Sequence, residues 1–235
     1  MVAILALTLG GCGDVDESPA SSASESTPSS RSSSSSAEAL DRPEQQQLDA
    51  DSIADALPTL KDMPDGWAVN ASPVSAETST YAPAACADIE FSSPEALAFE
   101  DEHLEATQRV AYSEYTSGPM EHLSATLSTY DRPYPVSLFD RAGEHVTDCA
   151  SYTRGRGGED ESREAEAITA PILADRSVAV RFVNPALADD RVDVLTVRAG
   201  HNRVQVTLVT HDGTYDDQRL SGYAQDILDK LKKTS

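Results

Sequence analysis

The chain has 235 residues and carries 40 Asp and Glu against 18 Lys and Arg, a formal net charge of -22 at pH 7. Such a surface repels phosphate backbones and excludes electrostatic binding to nucleic acid. It is also repelled by anionic lipid headgroups, so attachment to a membrane cannot rest on a basic patch.

Val2 to Leu7 form an apolar run followed by small residues, the pattern of a secretory signal peptide. The run is too short for a bilayer span, which takes about 20 apolar residues. It closes on Leu9-Gly10-Gly11-Cys12, which resembles the bacterial lipobox. The resemblance implies that residues 1–11 are a signal peptide, that the Cys12 sulfur receives a diacylglyceryl group, and that the rest is anchored by this lipid at the extracytoplasmic face of the cell membrane. No Lys or Arg precedes Cys12, so a signal peptide of this type is expected to begin upstream of Met1. The competing reading, a buried N-terminal strand with a free thiol, conflicts with the polar composition after Cys12. Residues 12–47 are rich in Ser, Ala and Glu, with an unbroken serine run from Ser32 to Ser36. This composition cannot bury enough area to offset chain entropy, and it predicts a disordered linker open to O-glycosylation.

A folded domain is expected over 48–235. Asp51 or Ser52 can cap a helix with Ile53, Ala56, Leu57 and Leu60 on one face. Met63-Pro64-Asp65-Gly66-Trp67 ends it in a turn, and Trp67, the only tryptophan, reads as a core anchor. Pro83 can start a short helix around Cys86, and Ser93-Pro94-Glu95 opens another toward Leu104. The period then changes to two. Arg109 to Thr116 and Leu123 to Thr129 read as a hairpin turned by Ser117-Gly118-Pro119. Val136 to Cys149 returns to helical spacing through Leu138, Phe139, Ala142 and Val146. Tyr152 lies in a short strand before a loop at Gly155 to Glu161. Strands come next at Glu164 to Ile172, Ser177 to Val183, Val192 to Arg198 and Arg203 to Thr210. A helix from Thr214 to Lys232 closes the domain through Leu220, Ile227 and Leu231, with lysines suited to its C-terminal end.

With Cys12 assigned to lipid, Cys86 and Cys149 remain as a pair in an exported chain, which reads as one disulfide. A zinc site is the weaker reading, because only His145 lies near Cys149.

In this order the domain resembles the extracellular sensor-type domain of mycobacterial PknH kinases, related forms of which occur in free-standing actinobacterial lipoproteins. The resemblance rests on Leu57-Pro58, Gly66-Trp67, Pro83 before Cys86, Cys149 ending the mid-chain helix, the Val-rich strands and the closing helix. It implies an α+β fold, a twisted antiparallel sheet flanked by helices, with a ligand-binding cleft. The second disulfide usual in that family is absent. No kinase Gly-rich loop or catalytic-loop motif is present, so a sensing role would need a protein partner in the envelope.

No G-x-S-x-G elbow, H-E-x-x-H helix, P-loop or G-x-G-x-x-G fingerprint occurs. His145 with Asp148 is the best acid–base candidate, and a surface pair is the reading favoured over catalysis. His201 and His211 read as turn and strand-end residues. Asp189, Asp190 and Asp193, and Asp212, Asp216 and Asp217, lack EF-hand spacing and read as solvated loop acids. Tyr112, Tyr115, Tyr130, Tyr134 and Tyr152 either pack between sheet and helix or line a ligand cleft. The sequence therefore predicts a non-catalytic, sensor-like binding domain with no cofactor and no metal; the alternative is an envelope hydrolase with an unrecognised site. The cleft is expected between the sheet and the Trp67–Tyr81 segment, with Arg181 and Arg198 near its rim, to fit an apolar or amphipathic ligand with a polar end.

Overall fold

Alternation of apolar and polar side chains builds the dominant element, a nine-stranded sheet. The computed structural model describes residues 39–70, 78–114, 121–187, 190–211 and 217–233. Cys12, the serine run, Tyr115, the Ser117-Gly118-Pro119 turn, Asp189, Asp212 and Asp216 lie outside them.

The strands are β1 (Trp67–Val69), β2 (Thr80–Ala82), β3 (Leu104–Glu114), β4 (His122–Tyr130), β5 (Tyr152–Arg156), β6 (Glu159–Ala167), β7 (Arg176–Val183), β8 (Asp190–Ala199) and β9 (Asn202–His211). They lie in the order β1-β3-β4-β9-β8-β7-β6-β5-β2, and each neighbouring pair is antiparallel. β5 to β9 succeed one another as hairpins, and β9 then pairs with β4, placing Leu127 opposite Val204. The helices are α1 (Ala50–Ala56), α2 (Pro94–His103), α3 (Val136–His145) and α4 (Asp217–Leu231). Among the described residues, no helix is long and apolar enough to cross a membrane.

The fold class is α+β as the sequence implies, with helices on both faces. On one face, Leu123, Ala125 and Leu127 of β4, Val204, Val206 and Leu208 of β9, and Leu195 and Val197 of β8 meet α1 and α4. Leu220, Ala224, Ile227, Leu228 and Leu231 recur at helical spacing, so α4 presents one continuous apolar stripe to the sheet. On the other face, Val178, Val180 and Phe182 of β7 point away from Ala179, as the alternation predicts. They are covered by the 3₁₀ turn Ala84–Glu90 and by α2 and α3, with Phe91, Tyr130, Tyr134 and Phe139 packed between.

Several boundaries move. Asp49 caps α1, its carboxylate accepting from the Ser52 amide at 2.7 Å, and Pro58 comes after the last turn. Leu60 therefore leaves the helix and is 44% exposed. β3 starts at Leu104, ahead of Arg109, and β6 takes in Glu159, Asp160 and Glu161, which the sequence places in a loop. Their side chains alternate as in any strand, but acids on both sides hide the period. The packed domain also begins before residue 48. Glu44 and Gln45 are buried, and the backbone of 44–46 lies on the β8–β9 turn: Asn202 Nδ2 donates to the carbonyls of Glu44 (2.9 Å) and Gln46 (2.7 Å). Gly200 makes this approach possible. Its φ is +55°, and a Cβ there would stand 2.5 Å from the Gln45 carbonyl oxygen.

Cys86 and Cys149 form the expected disulfide, with Cα atoms 5.6 Å apart and a sequence separation of 63. Loop closure of this length stabilises by about 4 kcal/mol. Reduction is expected to lower Tm by about 8–16 °C at about 2–4 °C per kcal/mol. Thermal unfolding with and without reductant, with non-reduced peptide mapping to confirm the link, is the check; an unchanged Tm contradicts it.

Candidate functional site

The turn Ala84–Glu90 stands on the sheet as a wall. The disulfide ties it to the chain just after α3, and Asp88 ties it to the helix itself. The Asp88 carboxylate contacts His145 Nδ1 at 3.0 Å and Arg141 Nε at 3.5 Å. His145 thus faces Asp88 rather than Asp148, and it joins two structural elements.

At the foot of this wall lies a cleft of about 290 Å³. Its floor is Phe182 of β7, Val192 and Val194 of β8, and Gln205 and Thr207 of β9. Ile89 and Glu90 form one side, and Arg154 of β5 and Arg163 of β6 complete it. The register explains why these residues share a face: Val194 lies opposite Thr207, Ala165 opposite Phe182, and Tyr152 opposite Arg163. The floor is apolar where the wall shades it and polar beyond. Past the cleft the same face continues as half-buried Ser124 and Thr126, opposite Thr207 and Gln205.

Glu90 organises the closed end. One carboxylate oxygen accepts from Tyr152 Oη at 2.7 Å; the other accepts from Tyr81 Oη at 3.2 Å and meets Arg154 Nη1 at 3.3 Å. Burial, with the Glu90 charge second, raises the pKa of both phenols. Arg163 pairs with Glu161 through Nη2 at 2.8 Å and Nε at 2.9 Å. Each arginine thus faces a carboxylate and the lining is charge-balanced. A wider depression of about 740 Å³ lies along the β5–β6 hairpin, lined by Glu159, Asp160 and Glu161 beside Asn184. It has no comparable apolar wall, and its Glu159 and Asp160 are exposed to solvent.

The residues expected to form the cleft are not brought together. Trp67 and Tyr81 occupy opposite edges of the sheet, on β1 and β2. Trp67 packs in the α1–α4 core with the Arg219 guanidinium 5.2 Å from its ring. Arg181 lies on that same side of the sheet, bound to buried Asp193 by two bonds of 2.8 and 3.0 Å. Arg198 is buried beside Asp175 at 2.9 Å. Arg181 and Arg198 lie on opposite faces of the sheet, each neutralised by a carboxylate, so they do not form a rim. Of the four, only Tyr81 approaches the observed cleft, through Glu90.

Other candidates take structural places. Tyr130 and Tyr134 are fully buried, and Tyr112 donates to the Pro58 carbonyl at 2.8 Å. His201 Nδ1 contacts the Tyr130 carbonyl at 2.9 Å in the turn, as its reading predicts. Ser113 Oγ lies 2.6 Å from His122 Nδ1, but Ser113 is fully buried and offers no exposed nucleophile. Among the described residues, no group of three or more His, Cys, Asp or Glu is placed to hold a metal ion. Gln205 and Thr207 escaped the sequence reading. Their signal was present: polar residues alternate with Val204, Val206 and Leu208 along a central strand, leaving one side of that strand without an apolar cover.

The chain is similar in fold to the extracellular domain of PknH from Mycobacterium tuberculosis, with a TM-score of 0.58 and 11% identity over 80% of this chain and 99% of that one. A putative uncharacterized protein from Mycobacterium smegmatis aligns over the same shares at 12% identity, with a TM-score of 0.45. No family model matches, and no curated protein does. The shared fold is PknH-like: an antiparallel sheet with helices.

Glu90→Ala should cost about 1–3 kcal/mol, because it leaves the Tyr152 hydroxyl without its acceptor and Arg154 without its carboxylate. It should also bring both phenols down toward the ordinary tyrosine range, while Glu90→Gln keeps an acceptor and loses less stability. Urea unfolding and ultraviolet pH titration measure the two effects. Unmoved phenol titration in a folded Glu90→Ala protein contradicts the assignment.

Proposed function

We propose that the protein is a lipid-anchored, extracytoplasmic binding domain, sensor-like and non-catalytic, whose cleft takes a small apolar or amphipathic ligand with a polar, net-neutral end. The observation that carries this reading is the floor at Phe182, Val192, Val194, Gln205 and Thr207, apolar on one side and hydrogen-bonding on the other. A volume of about 290 Å³ suits one small molecule or one end of a longer one. Balanced Arg–Glu pairs favour an uncharged polar group such as a sugar over a strong anion. Likeness in fold to an extracellular domain, and a disulfide stable only in an oxidising compartment, support placement outside the cytoplasm. Cys12 supplies the anchor, and a separate envelope protein receives the signal.

Dodecyl maltoside below its micellar concentration is a suitable probe, with an alkyl chain for the valines and a sugar for Gln205. Calorimetry should detect binding to the wild-type domain. Val194→Asp should abolish it, and Gln205→Ala should weaken it about 5-fold for the loss of roughly 1 kcal/mol of hydrogen bonding. Binding that survives Val194→Asp places the ligand elsewhere. Trp67 lies on the far side of the sheet, so its emission should stay silent.

The anchor has its own test. Cys12→Ala should move the protein from the membrane to the soluble fraction of lysed cells. Unchanged retention refutes lipid attachment at Cys12.

A further inference from the structure

At the end of β4 and β9 away from the β8–β9 turn, two histidines face each other on the open side of the sheet. His122 is on β4, and His211 is the last residue of β9, two positions beyond His122's partner Val209. Their ring centroids are 6.3 Å apart, with the planes inclined at 71°. Each ring is pinned from outside the pair. His122 Nδ1 lies 2.6 Å from Ser113 Oγ on β3, and His211 Nδ1 bonds Asp190 on β8. β3 and β8 flank β4 and β9 on opposite sides. Both Nδ1 atoms are therefore engaged outside the pair, which leaves Nε2 as the ring nitrogen open to a ligand. No polar partner of either Nε2 occurs among the described residues.

We propose that His122 and His211 form a chelating pair for a divalent first-row transition metal, bound through both Nε2 atoms with water filling the remaining positions. Metal–nitrogen bonds of about 2.0–2.1 Å place two such rings about 5–6 Å apart, depending on the angle at the metal, close to the 6.3 Å between these two rings. The outer contacts are those that metal-bound histidines use. Asp190 accepts the Nδ1 proton of His211, which leaves the Nε2 lone pair for a metal. Ser113 Oγ accepts from Asn70 Nδ2 at 2.9 Å, and the same Nδ2 lies 3.5 Å from His122 Nδ1; metal binding through Nε2 places the proton of His122 on Nδ1, where a lone pair of Ser113 Oγ can accept it. Imidazole ligands suit Cu2+, Ni2+ and Zn2+, and affinity is expected to be highest for Cu2+. The pair lies outside the cleft lining, so this site does not depend on the proposed ligand.

The test uses tag-free domain and chloride salts of Zn2+ and Cu2+. Calorimetry should find one equivalent of each metal, with Cu2+ tighter, and nitrogen-15 NMR of the zinc complex should shift the Nε2 signals of His122 and His211 together. His122→Ala and His211→Asn should each remove the binding, and Asp190→Ala should weaken it on the order of 10- to 100-fold. His145→Ala should leave it intact. If one histidine variant fails to fold, the other gives the same readout. Absence of binding, binding that survives either histidine substitution, or an Nε2 shift in only one ring overturns the proposal.

Discussion

Arg198 lies beneath the loop before α3 with 1% of its side chain exposed, and Asp175 offsets the cost of burying its charge there. One Asp175 oxygen accepts from Arg198 Nη1 at 2.9 Å and from the Gly200 amide at 2.6 Å. The other accepts from Gln45 Nε2 at 2.9 Å and from Arg42. Arg198 Nε donates to the Tyr134 carbonyl at 2.5 Å. A single carboxylate thus fixes the N-terminal segment and the turn joining the two central strands. Through Arg198 it also fixes the loop that leads into α3. The position of α3 sets that of its disulfide partner, the Ala84–Glu90 turn, and so of the cleft wall. The cleft depends on an ion pair far from it in the sheet.

The cleft exists because the two faces are covered unequally. β8 is apolar on both sides, with Leu195 and Val197 under α4 and Val192 and Val194 toward the Ala84–Glu90 turn. β4 and β9 are apolar on one side only. Their other sides carry Ser124, Thr126, Gln205 and Thr207, which need no hydrophobic cover. The wall ends where the strands become polar, and the step between them is a concave, two-toned surface. The same polarity leaves the end of β4 and β9 free to carry two imidazoles.

Much of this architecture was legible in the sequence. Val178, Val180 and Phe182 alternate with Ala179 so regularly that the two-sided burial of β7 can be read directly. Leu220 to Leu231 announce α4, and two leftover cysteines announce their bond. The cleft was harder to read. Glu90, Arg154, Arg163 and Gln205 come from four segments, and only strand order brings them together. Sequence alternation assigns Arg181 to a face but not to Asp193, its neighbour on the next strand. Trp67 is buried as its core-anchor reading predicts, but an aromatic residue on a three-residue strand carries too short a period to say which side of the sheet it joins. The acids of β6 concealed a strand because charge on both sides of a hairpin carries no alternation in hydropathy.

The way the backbone of 44–46 rests on the β8–β9 turn has a mechanical consequence. His201 N donates to the Gln45 carbonyl at 3.0 Å, and Asn202 grips the carbonyls on either side. A pull applied through the N-terminal end of the domain therefore meets several buried hydrogen bonds and the Asp175 ion pairs together, near the middle of the sheet. It does not meet an edge strand that could peel away one bond at a time. The load passes into β8 and β9, the most fully paired strands, and bypasses β1 and β2, whose three-residue ladders would yield first. A domain held in this way resists tension applied through its N-terminal segment.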